Sequence, residues 1–220
     1  MSIKAMIAVR AGSMRVPNKN IRPFAGKSLL ELKIEQLKRI DCLDGIVVNS
    51  ESEEMLSLAA KMGCETVKRD EYYASNTVSM SEVYRNMAEN FTADTVAYIN
   101  VTNPLLKDET LIKAIEMYQN RKGEFDSLNS AHYVKEFMFL DNKPINYDLL
   151  HQPRSQDLPN IAALNFAFSI LERQDMIDGM NVVGKKPQLF IIDEVEGLDI
   201  DNPIDFEFAE YIYKKWHKLD

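Results

Sequence analysis

Cysteine is nearly absent: the 220 residues carry only Cys42 and Cys64, each in an apolar neighbourhood. A disulfide framework or a cysteine-ligated zinc site is not expected, and a reducing cytoplasm is the default compartment. Histidine is almost as scarce. His132, His151 and His217 are scattered, without a Ser/His/Asp or Cys/His pattern, and each reads as a surface or packing residue rather than a catalytic base. Two further absences concern membranes: a basic-then-apolar-then-small signal at the start, and an apolar run long enough to span a bilayer. Positive charge is the minority sign, 26 Lys and Arg against 34 Asp and Glu for a net −8. That balance argues against a general nucleic-acid or membrane-surface role while leaving room for a local anionic ligand. Two phosphate motifs are missing as well. No G-x-G-x-x-G occurs, and "GKS" at 26–28 lacks the opening glycine of a P-loop because Ile21 stands there.

What is present is an ordinary apolar content, 45% of the chain, ample for a sizeable core. Short apolar runs alternate with helical patterns. Strands are expected at 3–9, 45–50, 64–69 and 95–101, and helices at 28–40, 52–63, 79–91 and 108–120, the last capped by Asp108. Spacing of this kind implies βαβ units, hence an α/β fold with a mainly parallel central sheet and helices on both faces. The second half is less regular. Strands are expected at 125–134, 164–170 and 187–192, a hairpin or projecting arm at 137–150 turning at Asp141–Asn142, and a terminal helix at 203–216 beginning on a proline. Without repeats, low-complexity tracts or a linker, residues 1–220 read as one domain.

Charge is concentrated in "AVRAGSMRVPNKN" (8–20), directly after the first expected strand, with little in it that would make a core. In an open parallel sheet, loops at the carboxyl ends of strands line the ligand crevice. Gly12 lets backbone N–H groups approach phosphate oxygens, while Arg10, Arg15 and Lys19 add positive charge suited to a triphosphate. Pro17 stiffens the segment. The competing reading is a set of solvated surface charges. Near the other end, "LDID" (198–201) carries Asp199 and Asp201 two residues apart. If extended, it points both carboxylates one way and Ile200 into the core, a hard-oxygen pair suited to Mg²⁺. A surface strand end followed by a helix cap gives the same pattern. Asp205 and Glu207 belong to the following helix and its N-terminus. Tyr72, Tyr73, Met80 and Tyr84 read as packing near the third strand rather than as a platform for a nucleobase.

Taken together, "AVRAGSMRVPNKNI", "VVNSESEE", "RSQDLPNIAALNFA" and "LDIDNPIDFEFAE" resemble, in order and approximate spacing, the N-acylneuraminate cytidylyltransferases, or CMP-sialic acid synthetases. The first loop, R-x-x-S-x-R-x-P-x-K from Arg10 to Lys19, is also similar to that of the CMP-Kdo synthetases. This resemblance implies a Rossmann-like nucleotidyltransferase fold and a Mg²⁺-dependent transfer of CMP from CTP to an acidic acceptor, with pyrophosphate released. It implies that Arg10, Ser13, Lys19 and Asn20 hold the triphosphate, that Arg15 follows the CMP-Kdo form of the loop, and that Arg69 contacts the nucleotide. It further implies that Asp199 and Asp201 bind the metal, with Asp201 counted beside Arg10, Arg15 and Lys19 in the catalytic set. Gln156 and Asn165 would meet the acceptor. The family pattern is a homodimer in which an arm, here 134–155, reaches the neighbouring subunit's site.

The chain also departs from that pattern. Asn100, counted with the nucleotide-binding set, stands where the sialic-acid enzymes usually have glutamine. Ala162 replaces a frequent tyrosine, and Phe166 replaces the glycine of "NGA". These changes fall on the acceptor side. A phenylalanine fills volume that a large sugar acid would use, so a smaller phosphonate or phosphate-ester acceptor is an alternative. Two others are a catalytically silent nucleotide-binding subunit of the same fold and, because D-x-D also serves them, a glycosyltransferase.

Overall fold

The computed structural model describes residues 1–219. Its first half runs β1 (Ile3–Ala8), β2 (Pro23–Phe24), β3 (Lys27–Ser28), α1 (Leu29–Leu37), β4 (Ile46–Ser50), α2 (Glu53–Lys61), β5 (Glu65–Lys68), α3 (Met80–Glu89), β6 (Thr95–Ile99) and α4 (Asp108–Gln119). The second runs β7 (Ser127–Val134), β8 (Phe139–Leu140), β9 (Lys143–Pro144), β10 (Ile161–Glu172), α5 (Arg173–Gly179), β11 (Pro187–Ile191) and α6 (Pro203–His217).

Period-two alternation sets the layers. On β1, Ile3, Ala5 and Ile7 enter one buried cluster and Met6 enters a second. β4 divides the same way, Ile46 and Val48 against Val47, and so does β6, Ala97 and Ile99 against Val96 and Tyr98. A strand buried on both sides has no polar face, which is why these segments are near-continuous apolar runs. Residues of α1, α2, α4 and α6 cover the first cluster, and those of α3 and α5 the second. The expected α/β architecture with helices on both faces is what the chain forms.

Seven strands make the main sheet, in the order β11-β7-β10-β6-β1-β4-β5. β10 runs antiparallel to both its neighbours, and the remaining pairings are parallel. The chain leaves β1 for β4 and β5 on one side, then returns to β6 on the other. That reversal opens a crevice at the carboxyl ends of β1 and β6, the place where open α/β sheets receive ligands.

Several details differ from expectation. Lys107, not Asp108, is the N-cap of α4, and it makes no side-chain cap bond; the Asp108 carboxylate is instead taken by Arg39 Nε at 2.7 Å and Gln36 Nε2 at 3.0 Å. The "GKS" stretch is explained by a small hairpin of β2 and β3, with Gly26 at φ +86°, that delivers Ser28 as the N-cap of α1 in a capping box with Glu31. β10 is longer than the expected 164–170 because it pairs along both β6 and β7. Sequence periodicity misses α5, a helix with one buried residue, Met176. The 137–150 hairpin does form, as β8 and β9 around Asp141 and Asn142, both at positive φ. Among the described residues, no helix is long and apolar enough to cross a membrane.

Candidate active site

The carboxyl end of β1 runs into the basic loop, and the backbone there is fixed from several directions. Val16 is fully buried in the core, an anchor that the polar look of the segment conceals. Asn20, 8% exposed, donates from Nδ2 to the Arg10 carbonyl at 3.1 Å and so closes the loop across its base. The Ala11 N–H donates to Glu51 Oε1 at 2.7 Å. Gly12 sits at φ +74°, a left-handed conformation that suits glycine. Around this loop lies a cavity of about 390 Å³ to which Arg10, Ser13, Arg15, Lys19, Asn20 and Asn100 contribute.

Asp201 lines the same cavity from the far end of the sequence. Its Oδ1 accepts from Arg15 Nη2 at 2.8 Å, and the Lys19 ammonium donates to the carbonyl of Ile200. Ile200 is fully buried, as an extended D-I-D segment requires. The basic loop and the aspartates therefore converge. Asp199 lies deeper. Burial, then the neighbouring Asp201 charge, raises its carboxyl above the ordinary carboxylate range, with Thr102 and Lys19 opposing the shift. Lys19 is lowered from the usual lysine range by burial, with Asp199 and Asp201 working against that shift.

A divalent cation fits these residues. Asp199 Oδ1 is buried with no hydrogen-bond partner, an anionic oxygen left for a ligand to satisfy. Among the described residues, no cluster of three or more His, Cys, Asp and Glu could hold an ion alone. Asp199 and Asp201 offer the one or two carboxylates that Mg²⁺ takes, its shell being completed by phosphate oxygens and water.

A second cavity, of about 370 Å³, shares Ala8, Val9 and Arg10 with the first and extends toward α3. Arg10 stands on the boundary, donating to the Ala74 carbonyl at 2.9 Å and Asn76 Oδ1 at 2.8 Å. Arg69, 5% exposed, lines this second cavity; its Nη2 donates to the Val9 carbonyl at 2.6 Å and pairs with Glu51 at 3.2 Å. Its Nε is buried without a partner. Tyr73 and Tyr84 pack against the second buried cluster as expected, Tyr84 edge-on to Tyr98 at 5.8 Å, and Tyr73 also lines this cavity together with Met80. Glu51 escaped notice in the sequence. Its one signal was a lone carboxylate after β4, and its double role, tying the Ala11 amide to Arg69, is set by two long-range contacts.

The remaining residues form an adjoining wall. Asn100 Nδ2 donates to the Phe166 carbonyl at 2.8 Å. Phe166 is at φ +53°, inside the irregular stretch of β10 between Leu164 and Ser169. The chain thus has a left-handed backbone at the position where the resemblance places glycine. Asn165, 7% exposed, lies so close to Gly197 that a Cβ there would come within 2.5 Å of Asn165 Nδ2. That contact brings Asn165 to the turn preceding Asp199, with its Nδ2 buried and unpartnered. Gln156 is exposed on a short 3₁₀ turn at Ser155–Asp157 and lines neither cavity.

With this geometry in view, comparisons with known proteins place the chain. A family model described as cytidylyltransferase matches residues 5–215. The post-translational flagellin modification protein B of Campylobacter coli is 29% identical over 97% of this chain and 95% of its own length. The pseudaminic acid cytidylyltransferase of a Campylobacter jejuni strain is 27% identical over 97% of each chain. Among solved structures, CMP:2-keto-3-deoxy-manno-octonic acid synthetase complexed with CTP superposes with a TM-score of 0.72 at 11% identity, over 98% of this chain and all of that one, a likeness of fold.

Proposed function

The chain belongs to the cytidylyltransferase family, and from that premise we propose that it transfers CMP from CTP to a sugar acid of the pseudaminic or N-acylneuraminate kind, releasing pyrophosphate. The observation that carries this reading is the meeting of Arg10, Arg15 and Lys19 with Asp201 in one cavity at the reversal point of the sheet. In the reaction an acceptor oxygen attacks the α-phosphorus in line, the bond from that phosphorus to the bridging oxygen breaks, and pyrophosphate carries the electron pair away. Arg10, Arg15 and Lys19 surround the β- and γ-phosphates and stabilise the charge that builds on the leaving group. The Gly12–Ser13 backbone and Asn20 fix the loop against the phosphates. Arg69, held by Glu51 and the Val9 carbonyl, presents its guanidinium to the second cavity, where the nucleoside lies against Tyr73 and Met80. Asp199 and Asp201 would hold Mg²⁺, which when bound neutralises phosphate charge and polarises the P–O bond. The acceptor lies along the wall of Asn100, Phe166 and Asn165, and Gln156 reaches it only if the 155–157 turn moves or a second subunit supplies it.

The same reading makes the protein a cytoplasmic, single-domain homodimer. Its arm, 134–155, exposes Phe139, Leu140, Leu149 and Leu150, the last at 86%, a set of apolar side chains that a second subunit would cover. Light scattering on wild type and a Leu149→Ser/Leu150→Ser variant tests the dimer; a monomeric wild type refutes it.

The deciding experiment measures pyrophosphate release with CTP, UTP, ATP or GTP against pseudaminic, N-acetylneuraminic and Kdo-type acids, phosphonates and phosphate esters, with and without Mg²⁺. Turnover with CTP and a sugar acid is expected. Turnover confined to phosphonates or phosphate esters would replace the acceptor assignment, and CTP binding without turnover on any acceptor would mark a silent subunit.

A further inference from the structure

Lys33 is 2% exposed on α1, away from the cavity just described. Its ammonium donates to Gln36 Oε1 at 2.6 Å and to the backbone carbonyl of Asn103 at 3.0 Å. Gln36 in turn donates to the Leu106 carbonyl at 2.5 Å. Two side chains of α1 therefore grip the segment that follows β6. Burying an ammonium is costly, and a methionine would fill the same stem volume without that cost. Its head group is instead engaged with Gln36 and with the backbone after β6.

What it holds is the support of the metal-binding turn. Asn103, fully buried, donates from Nδ2 to the carbonyls of Gly197 and Leu198, each at 3.1 Å. The Thr102 carbonyl accepts from the Ile200 N–H at 2.9 Å. Residues 102 and 103 thus grip the chain on both sides of Asp199, whose own Oδ1 has no protein partner. On the β10 side Asn165 fills the space beside Gly197, where an added Cβ would come within 2.5 Å of its Nδ2. The supports act in series: α1, then Asn103, then the turn, then the Asp199 carboxylate.

We propose that Lys33, acting through Asn103, is a positioning residue that fixes the 197–200 turn so that Asp199 meets a divalent cation in register with the nucleotide phosphates. The inference rests on the cytidylyl-transfer reading of the cavity. Lys33 touches neither nucleotide nor acceptor; its effect is carried by one backbone carbonyl and one asparagine.

The test compares wild type, Lys33→Met, Asn103→Leu and the double variant. Mn²⁺ affinity is measured by water-proton relaxation with and without CTP, kcat and KM for CTP by pyrophosphate release, and folding by thermal unfolding, with all binding work kept well below each melting point. Each single variant is expected to bind Mn²⁺ about tenfold or more weakly and to lose kcat to a similar degree, with KM for CTP moving far less. Because the two residues act in series, the double variant should match Asn103→Leu within about twofold. A folded Lys33→Met protein with wild-type Mn²⁺ affinity overturns the proposal, and so do losses that simply add. If Lys33→Met does not fold, Asn103→Leu alone decides on the same Mn²⁺ criterion. A wild type that binds Mn²⁺ but leaves CTP untouched refutes the proposed activity and leaves this positioning result standing or falling on the Mn²⁺ titration.

Discussion

On the wall of the cavity that the proposed reaction assigns to phosphate, the phosphate wall, Asp199, Lys19 and, behind them, Lys33 are ionisable groups drawn partly or wholly out of water. On the wall that it assigns to the acceptor, the acceptor wall, Phe166 is instead held at φ +53° by the β10 irregularity and the bond from Asn100. Both walls store unfavourable energy, in different forms. A ligand relieves the first: a cation on Asp199 or a phosphate on Lys19 adds counter-charge to the little these groups give each other. The second is set by the chain itself, through the break in β10 register and the Asn100 bond. The phosphate wall should therefore tighten when its ligands arrive, whereas the acceptor wall is preset and determines shape.

The largest expected effects lie on the phosphate wall. Asp201→Ala and Asp199→Asn should each lower kcat on the order of 10³-fold in the pyrophosphate assay, the scale expected when electrostatic stabilisation of a phosphoryl-type transition state is lost. Asp199→Asn should at the same time raise the melting temperature of the ligand-free protein, since it removes a charge that burial disfavours. A variant that loses activity together with stability would reduce Asp199 to a structural residue. Lys19→Ala should weaken CTP binding by about 10- to 100-fold in calorimetry, the worth of a charge-assisted contact to phosphate. An unchanged affinity would remove Lys19 from the phosphate wall and erase the contrast between the two sides.

The two walls were unequally legible in the sequence. Arg10, Lys19, Asp199 and Asp201 stand out because their chemistry is local: a charged loop after an apolar strand, and two carboxylates around one buried Ile200. The fold was readable for the same reason, since β1, β4 and β6 are buried on both faces and show it as apolar runs. What was hidden depends on distant partners. Glu51 joins Ala11 to Arg69, Asn103 joins Lys33 to Gly197 and Leu198, and Tyr73 and Met80 line a cavity that exists only once α3 has docked. The substitution of Phe166 for glycine was visible, but its backbone conformation was not, because a left-handed phenylalanine violates local preference and needs the sheet to impose it.

Lys33 extends the comparison behind the phosphate wall and gives it a pH dependence. Burial lowers its pKa from 10.5 to about 7, against the opposing pull of Asp108, while Arg39 reinforces the lowering. Lys107, Glu109 and His217 also face the cavity beside it, and Arg39 is already paired with Asp108. Between about pH 7 and 10.5 the unfolded chain holds the Lys33 proton and the folded chain does not. Unfolding free energy therefore rises with pH across that window, by at most about 1.4 kcal/mol per pH unit from this group. Below it the penalty for the buried charge is fully present. Urea unfolding at a series of pH values should show the slope in wild type and its loss in Lys33→Met; equal slopes would mean the ammonium is less desolvated than its setting implies.

The smallest effect is the most specific to the acceptor wall. At an extended strand position, glycine is less stable than alanine by roughly 0.5–1 kcal/mol, because the unfolded chain loses more freedom. At a left-handed position the order reverses, since a Cβ is strained there and glycine is not. If Phe166 is held at φ +53° by the fold, Phe166→Gly should be more stable than Phe166→Ala by about 1 kcal/mol in urea unfolding. Phe166 is 37% exposed, and whatever packing its ring makes is lost equally in both variants. The Gly-minus-Ala difference therefore isolates backbone strain from side-chain burial. Alanine as the more stable of the two would show that the strand has relaxed, and the preset acceptor wall would lose its physical basis.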